Sequence, residues 1–229
     1  MSETNQAGAL KSRQSNILFI VGLVAAALFI VGHALDLYWL RMVVKPIPVL
    51  LMAVWVYLLP GKKTYQWAII TGLLLSMLGD ILLEASSATF IFGLVAFLLG
   101  HVAYIVAFTR DSRQLFPWRA LLAYGYGIII FILFATKGDL GDMMIPILLY
   151  VIIITTMLWR AASRVGVAAI SAFSAKAGLI GAILFTFSDT LIAMNMFVWA
   201  LPQPWTRFTI IITYWLGQLG IMLSARQAE

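Results

Sequence analysis

The chain has 229 residues, of which 63% are hydrophobic and only 10% charged, with a net charge of +6 and no cysteine. A water-soluble domain carries about a quarter of its residues as charges, so this chain lacks the polar surface that a soluble globule needs. The missing cysteines exclude disulfides and thiolate metal sites, and the surplus of Lys and Arg points to membrane sidedness before nucleic acid. An all-α integral membrane protein is expected, because lipid satisfies no open backbone groups.

Residues 1–15, MSETNQAGALKSRQS, are polar and read as a flexible cytoplasmic N-terminus. No clear small-residue cleavage site follows, so the first apolar run is expected to stay as a helix. Eight runs approach the ~20 residues that a bilayer crossing needs: 16–35, 43–60, 66–84, 88–108, 118–136, 141–160, 176–199 and 206–224. Residues 16–224 are read as one transmembrane domain with halves of about 16–110 and 118–224, and 225–229 as a cytoplasmic tail. His33 sits three residues before Asp36 at the end of the first run, which suggests an interfacial pair. The second run opens on Lys45-Pro46-Ile47-Pro48, where prolines suit a first helical turn. Only KGDLGD, a turn-like linker, parts the fifth run from the sixth. Trp67, Trp118 and Trp205 flank runs and read as an aromatic belt.

Placing the N-terminus in the cytoplasm leaves Arg41, Lys45, Lys137 and Arg207 outside and the other 11 of the 15 basic residues inside. That asymmetry predicts eight spans with both termini in the cytoplasm, in a multi-pass protein of a bacterial inner membrane. The halves also echo each other. Ile47-Pro48-Val49-Leu50-Leu51 is similar to Ile145-Pro146-Ile147-Leu148-Leu149, and Phe97-Leu98-Leu99-Gly100-His101 to Tyr214-Trp215-Leu216-Gly217-Gln218. Gly72, Leu75, Asp80 and Leu82 match Gly181, Leu184, Asp189 and Leu191. Two four-helix halves related as a parallel repeat are expected.

Asp80 and Asp189 lie deep in apolar runs. An ionised carboxylate in hydrocarbon costs about 3 kcal/mol even on mild insertion scales, so such groups are hidden from lipid and usually used. Ser76 and Glu84 stand four residues either side of Asp80 on one helix face. Ser188 neighbours Asp189, and Asn195 follows Ser188 by seven. Lys45 opens the second span, where its stem reaches inward; the fourth offers His101 and Tyr104, the sixth Tyr150, and the eighth Tyr214 and Gln218. A polar pocket open toward the outer half gathers these groups. The plainer readings are interhelical hydrogen bonding for Tyr104, Tyr150 and Gln218, and an interfacial position for Glu84.

The chain resembles the YhhN-type lysoplasmalogenase family of membrane hydrolases. The matching pieces are Lys45-Pro46, Gly79-Asp80 with Leu82-Leu83, Gly100-His101-Val102-Ala103-Tyr104, Phe187-Ser188-Asp189 and Tyr214-Trp215-Leu216-Gly217-Gln218, in order along nearly the whole chain. The resemblance implies hydrolysis of the vinyl-ether bond of lysoplasmalogens to a fatty aldehyde and a glycerophospho-base. Such a bond is cleaved by acid: a proton goes to the β-carbon, water adds to the oxocarbenium, and the hemiacetal collapses. Two carboxyls in a low-dielectric pocket divide that work, one protonated as the acid and the other ionised near the developing cation. Asp80 and Asp189 are the candidate catalytic pair. Lys45, Glu84, His101, Tyr104, Ser188, Asn195, Tyr214 and Gln218 are candidate substrate-binding residues, with Lys45 facing the phosphate. No metal, cofactor or nucleic acid is expected; the partners are the lysolipid and the bilayer, and the oligomeric state is open. A transporter of small molecules or ions is the alternative, because repeats and midplane acids mark carriers too, and a non-catalytic lipid-binding bundle is a third.

Overall fold

A computed structural model describes residues 3–226, with side chains from Arg13 onward. The described residues are helical throughout, without a strand: α1 (Glu3–Ala34), α2 (Tyr38–Val44), α3 (Ile47–Tyr57), α4 (Thr64–Ala85), α5 (Phe90–Asp111), α6 (Pro117–Lys137), α7 (Met144–Ala162), α8 (Ala172–Phe197) and α9 (Trp205–Leu223). Residues 3–15, expected to be frayed, continue α1 as helix. Residues 1–2 and 227–229, parts of the expected flexible ends, lie outside the described residues.

α2 and α3 are two pieces of one apolar segment, Tyr38–Tyr57. Pro46 has no N–H to continue the α2 ladder, and Pro48 occupies the first turn of α3, where backbone N–H groups lack helical partners anyway. The prolines therefore interrupt this segment rather than begin it, and it starts at Tyr38, not at residue 43. Among the described residues, seven segments are long and apolar enough to cross a membrane. The last helix, α9, is not among them. Its 19 residues include Thr206, Arg207, Thr209, Thr213 and Gln218, which lower its hydropathy. The molecule is a multi-pass integral membrane protein. Its outer wall is apolar: Leu121 and Ile145 are 73% and 77% exposed, as suits a surface bathed in lipid rather than water. Trp67, Trp118 and Trp205 are exposed near helix ends.

Two helix pairs form the tightest seams. α4 lies along α5, where the rings of Tyr104 and Phe97 fill the space left by Gly72 and Gly79. α8 lies along α9, and a Cβ on Gly181 would stand 2.6 Å from the Gly217 carbonyl oxygen. Small residues let backbones approach in this way where hydrophobic driving force is weak. One end of the bundle is locked by the buried Arg164. It pairs with Asp111 of α5 at 2.8 Å and donates to Ser174 of α8, whose hydroxyl donates to the Ser224 carbonyl after α9. Tyr65 of α4 joins this knot through the Ser224 hydroxyl, 2.7 Å away. The aspartates lie toward the other end.

Candidate active site

Asp80 stands five residues before the last residue of α4, and Asp189 eight before the last of α8. At a rise of about 1.5 Å per residue, both carboxyls sit roughly 8–12 Å below one end of the bundle. Asp80 is 2% exposed and accepts a 2.7 Å hydrogen bond from the Tyr214 hydroxyl of α9. Asp189 accepts one of 2.5 Å from the Tyr150 hydroxyl of α7. The fully buried His101 of α5 brings Nε2 to 3.7 Å from Asp189 Oδ2, near but beyond direct hydrogen bonding.

An aromatic layer joins the two acids. The Phe185 ring lies 4.7 Å from His101 and 5.3 Å from Tyr214, and Phe97 packs edge-on against Tyr214 at 5.7 Å. One turn further from the mouth, Tyr104 donates a 2.6 Å bond to Gln218 Oε1. Ser76, Tyr104 and Gln218 are all fully buried.

Two different environments meet at this layer. On the Asp189 side, α5, α6, α7 and α8 enclose a cavity of about 760 Å³ including its open mouth. Its walls are apolar residues such as Leu94, Ile130 and Ile154, with Asp189, Tyr150, Tyr126 and three threonines as the polar exceptions. On the Asp80 side, Glu84 stands one turn closer to the bundle end. It accepts from Arg41 Nε at 3.0 Å and from Lys45 Nζ at 3.2 Å. Arg41 also pairs at 2.8 Å with Asp36, which the turn after α1 presents at φ 51°. The Arg41 guanidinium holds the exposed Asp36 carboxyl below its ordinary range.

Asp80, Asp189, His101, Tyr104, Tyr214 and Gln218 thus come together, with Lys45 and Glu84 on one flank. Two candidates point elsewhere. The Ser188 hydroxyl donates to the Ile210 carbonyl of α9, and Asn195 Oδ1 accepts from the Leu201 N–H, holding the loop after α8. The expected His33–Asp36 side-chain pair is not formed: His33 Nε2 meets Arg207 at 2.7 Å, and Asp36 goes to Arg41. Arg41 escaped the sequence reading, although it stands four residues before Lys45, a helical spacing that places both on one face. Tyr150, weighed as an interhelical bond, is the partner of Asp189.

The chain matches the model of the YhhN family over residues 40–225. It belongs to the YhhN family. The matched stretch runs from the middle of α2 to just past α9, leaving α1 out and taking in both aspartates. Among its relatives, the lysoplasmalogenase TMEM86B of Sus scrofa is 32% identical over 194 residues, covering 83% of this chain and 77% of that protein. The Homo sapiens lysoplasmalogenase TMEM86B is 31% identical, with the same coverage. A lysoplasmalogenase of Mycobacterium bovis is 29% identical over 150 residues, covering 61% of this chain and 53% of that protein. No solved structure matches this YhhN-family chain.

Proposed function

We propose that this protein is a membrane hydrolase that cleaves the vinyl-ether bond of lysoplasmalogens between Asp80 and Asp189, releasing a fatty aldehyde and a glycerophospho-base. The observation that carries the reading is Asp189 in the wall of an apolar cavity, linked through the rings of His101, Phe185 and Tyr214 to the buried Asp80. The family relatives named lysoplasmalogenases give the substrate class. The alkenyl chain occupies the cavity between α5 and α8, and the vinyl ether lies at the aromatic layer. The glycerophosphate extends toward Lys45, Arg41 and Glu84, where the phosphate competes with Glu84 for the two cations.

The chemistry is general acid catalysis followed by hydration. One carboxylic acid gives its proton to the vinyl β-carbon; the C=C pair forms that C–H bond, leaving an oxocarbenium. The other carboxylate stabilises the cation electrostatically. Water adds to the carbon next to oxygen and returns a proton to the first carboxyl. The hemiacetal then collapses to aldehyde and alcohol. Tyr150 and Tyr214 each bind one carboxyl, fixing its orientation as pre-organised sites require. The reading uses no metal and no cofactor.

The same proposal treats residues 16–224 as one eight-crossing transmembrane domain with both termini in the cytoplasm. The glycine seams of α4 with α5 and of α8 with α9, and the Asp near the same end of α4 and α8, support the two-half repeat. The functional test is purified protein incubated with a lysoplasmalogen and with its saturated alkyl-ether counterpart, products being identified by mass. Aldehyde is expected from the vinyl ether alone. Lipid that binds or crosses a vesicle membrane without aldehyde release would turn the reading to a carrier.

A further inference from the structure

Hydration needs a water held in place, and the buried polar atoms around the aspartates indicate where. Ser76 Oγ, His101 Nδ1 and Nε2, and Gln218 Nε2 have no hydrogen-bond partner among the described residues. Ser76, His101 and Gln218 are each 0% exposed. Buried polar groups are nearly always paired, because leaving them bare loses their hydration without compensation. Alanine, phenylalanine or leucine would fill these positions at no such cost. Unpaired groups contributed by α4, α5 and α9 within two successive turns of the bundle therefore point to a small polar ligand.

Their positions converge. The Tyr104 hydroxyl donates to Gln218 Oε1, and Ser76 Oγ lies across the α4–α5 seam, 3.1 Å from where a Cβ on Gly100 would stand, next to His101. His101 precedes Tyr104 by one turn on the same face of α5, and its Nε2 is 3.7 Å from Asp189. Gln218 follows Tyr214, the partner of Asp80, by one turn of α9. None of Ser76, His101 and Gln218 lines the apolar cavity, so this polar group lies apart from the space assigned to the alkenyl chain. Their chemistry is complementary to water: the hydroxyl donates and accepts, the amide nitrogen donates, and a neutral imidazole offers one donor and one acceptor.

We propose that Ser76, His101 and Gln218 form the site of the hydrolytic water, which approaches the vinyl-ether carbon from the side opposite the alkenyl chain. This rests on the hydrolase reading above. In the step it serves, the water oxygen forms the new C–O bond while the oxocarbenium electron pair returns to the ether oxygen. The released proton goes to the carboxylate that had protonated the β-carbon, regenerating the acid. Ser76, His101 and Gln218 are positioning residues for that water.

The test compares wild type with Ser76→Ala, His101→Phe and Gln218→Leu, assayed for aldehyde release in H2O and D2O. Binding of the saturated alkyl-ether lysolipid is measured as inhibition, and folding by thermal unfolding. The Ser76→Ala change deletes a single oxygen that bonds no protein group, so it leaves the helix packing intact. Each folded variant is expected to lose kcat by about tenfold or more, since misplacing a reactant by about 1 Å can cost 10²-fold. KM and analogue inhibition should move by less than about twofold, because binding common to ground and transition states is untouched. The solvent isotope effect on kcat should change, as water addition rather than carbon protonation comes to limit the rate. Folded Ser76→Ala with wild-type kcat overturns the water site, as does equal loss of kcat and analogue binding. A wild-type protein without aldehyde release removes the hydrolase reading itself, a different result.

Discussion

Lys45 and Arg41 share Glu84 between them, and that arrangement decides what Lys45 can do. A cation already paired at the edge of a bundle is held in position without being spent, because an incoming phosphate can take over one of its bonds. Lys45→Ala is expected to raise KM for a phosphate-bearing lysolipid about tenfold or more, the loss of one charge-assisted bond worth about 1.5–3 kcal/mol. A vinyl-ether substrate without phosphate should be affected much less. Equal losses on both substrates, measured by steady-state kinetics, would place Lys45 in the scaffold. The aspartates were legible as residues because a carboxylate in an apolar run is too costly to be incidental. Ser188 and Asn195 were misleading for a geometric reason. Neighbours on a helix point about 100° apart, so sequence adjacency to Asp189 sends Ser188 to the α9 backbone. Phe185 gave no comparable signal, because an aromatic residue in a span is ordinary until its neighbours are known, and the same ambiguity left Tyr150 between pocket and interhelical bond.

At the scale of elements, the apolar runs located the helices well, since a membrane crossing leaves little freedom in length or composition. The errors fall where one local rule overrode another. Lys45-Pro46 looked like a helix start, yet α2 precedes it by a full seven-residue helix, because two short helices can share one crossing around a proline. The polar segment 3–15 looked frayed, yet it extends α1, since a helix already nucleated by a long apolar stretch propagates into its flank one hydrogen bond per residue. α9 mixes polar side chains with a packing face. Tyr214 and Gln218 point one turn apart into the site, while Gly217 and Gly220 form the seam with α8.

At the scale of the whole molecule, the membrane and the helical class were readable from sequence, but the cavity was not. It arises from the relative placement of α5, α6, α7 and α8, which no single helix encodes. Orientation rests on charge. With 11 of 15 basic residues assigned to one side, a reporter fused to the C-terminus should read as cytoplasmic, and a periplasmic signal would require an odd number of crossings. The central claim is that two buried carboxyls perform the hydrolysis, and single-turnover aldehyde release from Asp80→Asn, Asp189→Asn and the double variant tests it most directly. The amides are nearly isosteric, so tight lipid binding and cooperative unfolding should persist. General acid catalysis is worth about 10²–10⁴-fold, so each single variant should fall by at least about two orders of magnitude. The double should be little worse than the poorer single, because groups acting as a unit are not additive. A folded Asp80→Asn or Asp189→Asn protein that releases aldehyde at the wild-type rate would contradict the account.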